Sequence, residues 1–117
     1  MCGISGVFGH ADGHSLMRVA ENMVASLVHR GPDDGGVWVD DDAKIAFGHR
    51  RLSVLDLSQE GHQPMLSKDS RYVMVFNGEV YNHQALRKEL EGGGLINWRG
   101  HSDTEVILHA YETWGID

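Results

Sequence analysis

Between Ser15 and His29 the apolar residues fall at Leu16, Val19, Ala20, Met23, Val24, Leu27 and Val28. That recurrence, every three or four residues, paints one apolar stripe along a helix, which must then be covered by something else. Arg30-Gly31-Pro32-Asp33 stops the helix, because glycine ends helices and proline cannot continue one. Short strand-like runs lie on both sides: Ile4 to Phe8 before it, Val37 to Val39 and Lys44 to Phe47 after it. The last two are joined by Asp40-Asp41-Asp42. Those acids lack the alternating ligands, central glycine and closing glutamate of a calcium loop. They read as a solvated hairpin turn, which Asp favours.

The second half continues the mixture. Arg51 to Leu57 extends the strand-like character, and a polar loop then runs through Gln63-Pro64-Met65. Tyr72 to Phe76 is the most strand-like run, and it ends at the turn signal Asn77-Gly78-Glu79. Asn82 can cap a helix through about Leu90, which Gly92-Gly93-Gly94 terminates. Ser102-Asp103-Thr104-Glu105 has the form of a capping box. It opens a last helix expected to turn Val106, Ile107, Ala110, Tyr111 and Trp114 inward. Hairpins joined to helices without a regular βαβ rhythm predict an α+β fold, with helices packed on sheet faces.

Composition excludes several functions. A length of 117 residues makes one domain or part of one. Net charge is −7, and the ten Lys and Arg are scattered rather than gathered into a basic face, so no nucleic-acid partner is expected. The apolar run Val73 to Phe76 is far shorter than a membrane span, and no membrane partner is expected. The N-terminus lacks the basic segment and apolar core of a signal peptide. The single cysteine, Cys2, excludes an internal disulfide and a Cys-based zinc site, and fits a reducing, cytoplasmic location.

Cys2 stands where removal of Met1 would make it the N-terminal residue. Its thiol would then be a nucleophile beside an α-amine of unperturbed pKa about 7.7–8.0, near the optimum for a general base. An N-terminal amine serving a nucleophile is an established arrangement. The alternative is a small buried hydrophobe or incidental thiol. Asn77-Gly78 is either a plain hairpin turn or an oxyanion hole, with a side-chain amide and an unobstructed backbone N–H converging on one oxygen. Arg51 is either a surface residue or a bidentate carboxylate ligand. Glu79 offers a carboxylate to a cationic group. Asp103 either complements a helix dipole or binds an ammonium group. A free α-amino acid with a side-chain amide would match the whole set. Eight histidines invite a metal reading, but His10 and His14 are separated by a glycine and no His-Glu-x-x-His pattern occurs. No metal site is expected.

Cys2-Gly3-Ile4, Arg30-Gly31-Pro32-Asp33, His49-Arg50-Arg51-Leu52-Ser53, Gln63-Pro64-Met65, Asn77-Gly78-Glu79-Val80-Tyr81-Asn82 and Ser102-Asp103-Thr104-Glu105 occur in that order. Together they resemble the glutaminase domain of class II glutamine amidotransferases, nearest the glutamine-hydrolysing asparagine synthetases. The resemblance spans essentially the whole chain. It implies an N-terminal-nucleophile fold, a four-layer αββα sandwich, and hydrolysis of glutamine to glutamate and ammonia through a cysteinyl thioester. By motif, Cys2 is the nucleophile with its α-amine as base, and Asn77 with the Gly78 N–H forms the oxyanion hole. Arg51 grips the glutamine carboxylate, and Glu79 and Asp103 hold its ammonium.

The resemblance also implies further strands after residue 117 and an ATP-using synthetase domain that receives the ammonia. Residues 1–117 are therefore expected to be the N-terminal part of a glutaminase domain, truncated at its C-terminus. No cofactor is expected in this part, with ATP and Mg belonging to the synthetase domain. The expected partners are glutamine and that domain. A homodimer is compatible with the sequence, which leaves the oligomeric state and the ammonia acceptor open. A rival reading is a non-catalytic fragment or regulatory module that binds glutamine without turning it over. Met1 bears on the choice: while it is attached, the Cys2 nitrogen is an amide and no base.

Overall fold

The computed structural model of the chain describes residues 1–9, 12–53 and 58–117. Strands β1 (Gly3–Phe8), β2 (Asp34–Asp40) and β3 (Ile45–Arg51) form an antiparallel sheet with β3 in the middle. The β2–β3 hairpin is the one expected from the pattern, lengthened at both strands. Its turn is held by the Asp40 carboxylate, which accepts from the Ala43 N–H at 2.9 Å, and Lys44 adopts φ 55° to close it. Lys44 also pairs with Asp41 at 2.8 Å, so two of the three acids serve the turn.

Helix α1 (Gly13–Ser26) starts at Asp12, whose carboxylate accepts from the Ser15 N–H at 2.8 Å. It stops short of His29, because Leu27 N–H bonds to the Val24 carbonyl and Arg30 N–H to that of Leu27, which tightens the chain into turns. Its stripe lies on the three-stranded sheet, as the periodicity requires. Leu16, Ala20 and Ala46 form the buried centre, and Val7, Val37 and Val39 pack around them. Val7, Ala46 and Val39 are register partners across the three strands, so one row of the sheet meets the helix. Complete burial of a leucine such as Leu16 stabilises by about 1.5–3 kcal/mol. Side chains alternate along a strand, so Phe47, His49 and Arg51 face away from α1. Phe47 stacks on Trp38 at 5.8 Å, and His49 and Arg51 are buried.

The expected strand at 72–76 is reduced to Val73–Met74 (β5), paired with Met65–Leu66 (β4). The N–H groups on either side of β5 are taken by side chains, although the Tyr72 carbonyl still accepts from the Ser67 N–H at 2.9 Å. Tyr72 N–H donates to the Ser67 hydroxyl, and Phe76 N–H donates to the Gln63 side chain. The expected continuation of β3 stops at Arg51, and residues 54–57 of that reading lie outside the described residues.

Helices α2 (His83–Gly92) and α3 (Asp103–Trp114) pack on each other. Asn82 precedes α2 but makes no side-chain capping bond. Ser102 caps α3, accepting from the Glu105 N–H at 3.2 Å. The reciprocal half of the expected capping box is replaced. Glu105, fully buried, accepts from the Arg99 and Gly100 N–H groups at 2.6 and 2.9 Å, and so pins the approach to the helix. The inward face of α3 also differs from expectation. Tyr111 and Trp114 are 38% and 46% exposed, while Thr104, Glu105, Val106 and Leu108 are buried. The first turns of α3 are the ones enclosed; Tyr111 still meets the Tyr72 ring edge-on at 5.0 Å, while Trp114 lies beyond. Among the described residues no helix is long and apolar enough to cross a membrane.

Candidate active site

A pocket of about 500 Å³ opens on the sheet side away from α1. It is bordered by Cys2, Arg51, Asn77, Gly78, Glu79 and Asp103, so all six residues singled out in the sequence meet there. They come from four separate stretches. Cys2 directly precedes β1, Arg51 ends β3, residues 77–79 follow β5, and Asp103 opens α3. The β1–β3 register opposes Gly3 to Arg50, which brings the ends carrying Cys2 and Arg51 together.

The Cys2 sulphur is held by one residue of the segment leaving β3. Leu52 N–H donates to Sγ at 3.3 Å, and the thiol donates to the Leu52 carbonyl at 3.6 Å. This fixes the sulphur over the end of β3 and beside the pocket. Arg51 is 8% exposed, and its Nη1 donates to the Ser58 carbonyl at 2.7 Å. Its guanidinium lies against Gly61, where a Cβ would stand 2.6 Å from Cζ and closer still to Nη2. Only glycine leaves room for the fork in this position.

Asp103 is buried, and its Oδ2 accepts from the Val80 N–H at 2.8 Å. It therefore ties α3 to the segment that carries Asn77, Gly78 and Glu79. Glu79 is exposed at the pocket, and Asn77 is half-buried. The pocket thus offers a cation from one stretch and two carboxylates from others. That pattern complements a zwitterionic amino acid, whose carboxylate and ammonium carry opposite charges.

Three further residues have a place here; Gln63 and His49 stand in two of the sequence motifs without a role assigned to them, and Gly61 stands in none. Gln63, buried, accepts from Phe76 N–H at 2.6 Å and donates to the Thr104 hydroxyl at 3.3 Å. His49, fully buried, has its Nε2 at 3.2 Å from the Phe76 carbonyl. Burial holds its imidazole below the ordinary protonation range, outweighing the Phe76 contact and the field of Asp34. Gly61 is the third. A glutamine in a loop and a histidine in a strand carry no periodic signal, so their motifs mark them but only their contacts show what they do. His10, considered for a metal, lies outside the described residues.

The chain matches the glutamine amidotransferase domain family over residues 1–117, and it belongs to that family. Among individual proteins, it is 42% identical over 118 residues to the glutamine-hydrolysing asparagine synthetase 1 of Arabidopsis thaliana, covering 100% of this chain and 19% of that protein. It is 40% identical over 116 residues to the glutamine-hydrolysing asparagine synthetase B of Escherichia coli, covering 98% of this chain and 20% of that one. Similarity extends at 35% to amidase chry2 of Gibberella zeae, over 99% of this chain and 18% of that protein. The chain spans about a fifth of the length of these curated relatives.

Proposed function

We propose that this domain hydrolyses the side-chain amide of glutamine and supplies the ammonia to an ATP-dependent synthetase domain, with aspartate as the acceptor. Cys2 attacks the amide carbon, and its freed α-amine takes the thiol proton. The tetrahedral oxyanion accepts from the Asn77 side-chain amide and the Gly78 N–H. Ammonia leaves with a proton from the same amine, and water then attacks the thioester to give glutamate and regenerate the thiol. Arg51 binds the substrate carboxylate in a two-pronged contact, and Glu79 and Asp103 bind its ammonium. The chemistry asks for no cofactor in this domain. ATP and Mg belong to the acceptor side, and the acceptor is inferred from relatives named as asparagine synthetases.

The observation that carries this reading is the meeting of six residues from four stretches around one pocket. For the fold we infer an αββα arrangement of two stacked sheets between helical layers. Its support here is α1 covering one face of the three-stranded sheet, with a second sheet formed by β4 and β5. A second reading is glutamine binding without turnover, which applies to a chain that keeps Met1. With Met1 attached the Cys2 nitrogen has no basic lone pair.

Intact mass followed by glutamate release separates the two. A chain lacking Met1 should form a thioester with glutamine and release glutamate, and Cys2→Ser should abolish both while still binding glutamine. Turnover by Cys2→Ser at the wild-type rate would remove the thiol from the chemistry.

A further inference from the structure

The wall of the pocket at Asn77 is held from behind by side chains that the chemistry above does not use. Phe76, one residue before Asn77, has both backbone groups taken by buried side chains. Its N–H donates to Gln63 Oε1 at 2.6 Å, and its carbonyl lies 3.2 Å from His49 Nε2. A carbonyl only accepts, so the His49 ring must carry its proton on Nε2, which leaves Nδ1 buried and without a partner among the described residues. Gln63 Nε2 donates in turn to Thr104 Oγ1 at 3.3 Å. Thr104 follows Asp103, whose carboxylate accepts from Val80 N–H at 2.8 Å. The segment from 76 to 80 is therefore tied at its start by Gln63 and His49 and at its end by Asp103. Gln63 joins the first tie to the N-terminus of α3.

The loop carrying Gln63 is itself seated on β2. A Cβ at Gly36 would strike the Gln63 carbonyl and the His62 ring, so the loop crosses the strand at backbone contact. His62 Nδ1 is held by Asp34 at 2.6 Å on the same strand. Gln63 borders the pocket, yet its oxygen and its nitrogen are both engaged within the protein. Those two bonds make it a support for the pocket wall.

We infer that Gln63 is a positioning residue for the oxyanion hole, fixing the Asn77 and Gly78 donors through the Phe76 backbone and coupling them through Thr104 to the helix start that carries Asp103. The inference rests on the glutaminase reading for its catalytic consequence. A misplacement of about 1 Å in a reacting geometry costs on the order of 10²-fold in rate, so the clamp should act on the chemical step.

The test compares Gln63→Met, which keeps the length and loses both hydrogen bonds, with Gln63→Glu, in the chain bearing a free Cys2 amine. In Gln63→Glu one carboxylate oxygen still accepts from Phe76 N–H, and the other can accept from the Thr104 hydroxyl. Gln63→Met should lower kcat for glutamate release by about 10- to 100-fold, with KM within about threefold of wild type. Gln63→Glu should recover most of the rate even where burying its charge lowers Tm. Independently of activity, hydrogen exchange across 75–80 should quicken in Gln63→Met while the β1–β3 ladder keeps its protection. Unchanged exchange across 75–80 overturns the clamp whatever the activity. A wild type that turns over beside a Gln63→Met with unchanged kcat overturns the inference and leaves the glutaminase reading standing. A wild type that forms no thioester overturns the glutaminase reading and the catalytic consequence with it, while the exchange result still decides the clamp.

Discussion

Replacing Gly61 by alanine should weaken glutamine binding while leaving the fold nearly untouched. A Cβ at this position would stand 2.6 Å from Cζ of Arg51 and 3.0 Å from Nη1, with Nη2 nearer still. Non-bonded carbon atoms rest at about 3.5–4.0 Å, so the guanidinium must retreat by roughly 1 Å. The atoms in the way are the far end of a flexible side chain, and Gly61 is not among the residues at positive φ. The backbone can stay in place. The Arg51 bond to the Ser58 carbonyl would loosen; a hydrogen bond from a charged group contributes about 1.5–3 kcal/mol, so weakening it without losing it should lower stability by about 1–2 kcal/mol. The larger loss falls on the substrate. Hydrogen bonds to charged groups are worth about 1.5–3 kcal/mol, and each 1.4 kcal/mol is tenfold, so KM should rise about 10- to 100-fold. Steady-state glutamate release over a range of glutamine concentrations reads the effect, and a thermal melt reads the fold. A KM within twofold of wild type would show that the Arg51 fork is not what holds the substrate. A collapse in Tm would show that Gly61 serves packing instead.

Removing one oxyanion donor should act on the other kinetic constant: Asn77→Ala is expected to lower kcat by about 10²–10³ with little change in KM, and a near-normal kcat would return Asn77-Gly78 to a plain turn. Arg51→Lys keeps the charge but loses the planar fork, so its effect should fall mainly on KM, and a fall in kcat alone would move Arg51 into the transition state. Stability should also depend on pH through His49, which burial keeps neutral in the fold with Asp34, His62 and Arg51 around it. Its folded pKa lies below the unfolded value near 6.5, so the unfolded chain binds the extra proton first. The contribution is complete above about pH 6.5 and is lost as pH falls through the lower, folded value. Urea midpoints measured from pH 7.5 to 5 should fall with pH and flatten in His49→Gln, and parallel curves for the two proteins would exclude this source.

The features readable in the chain were those that depend on neighbours in sequence. The stripe from Leu16 to Val24 specified α1 and its apolar face, because a helical period is a local property. Asp40 to Asp42 specified a turn, because Asp side chains bond to nearby backbone. The types of Cys2, Arg51, Asn77, Glu79 and Asp103 suggested a chemistry before any of them had a position. Tertiary structure decided which runs kept their local preference. Tyr72 and Phe76 left the strand because Ser67 and Gln63 reached their N–H groups, which local propensity cannot anticipate. Trp114 is apolar and correctly spaced, yet it stays exposed because the elements enclosing α3 reach only as far as Tyr111, which meets Tyr72 edge-on. Glu105 has the spacing of a capping partner, but burial presented it with the Arg99 and Gly100 N–H groups instead. The meeting of Cys2 with Arg51 depends on an antiparallel register between strands more than 35 residues apart. A buried polar group takes the partner that three-dimensional packing leaves within reach, since leaving it unpaired costs more than abandoning a local preference. That is why Gln63, His49 and Gly61 acquire their places at the pocket only in the folded chain.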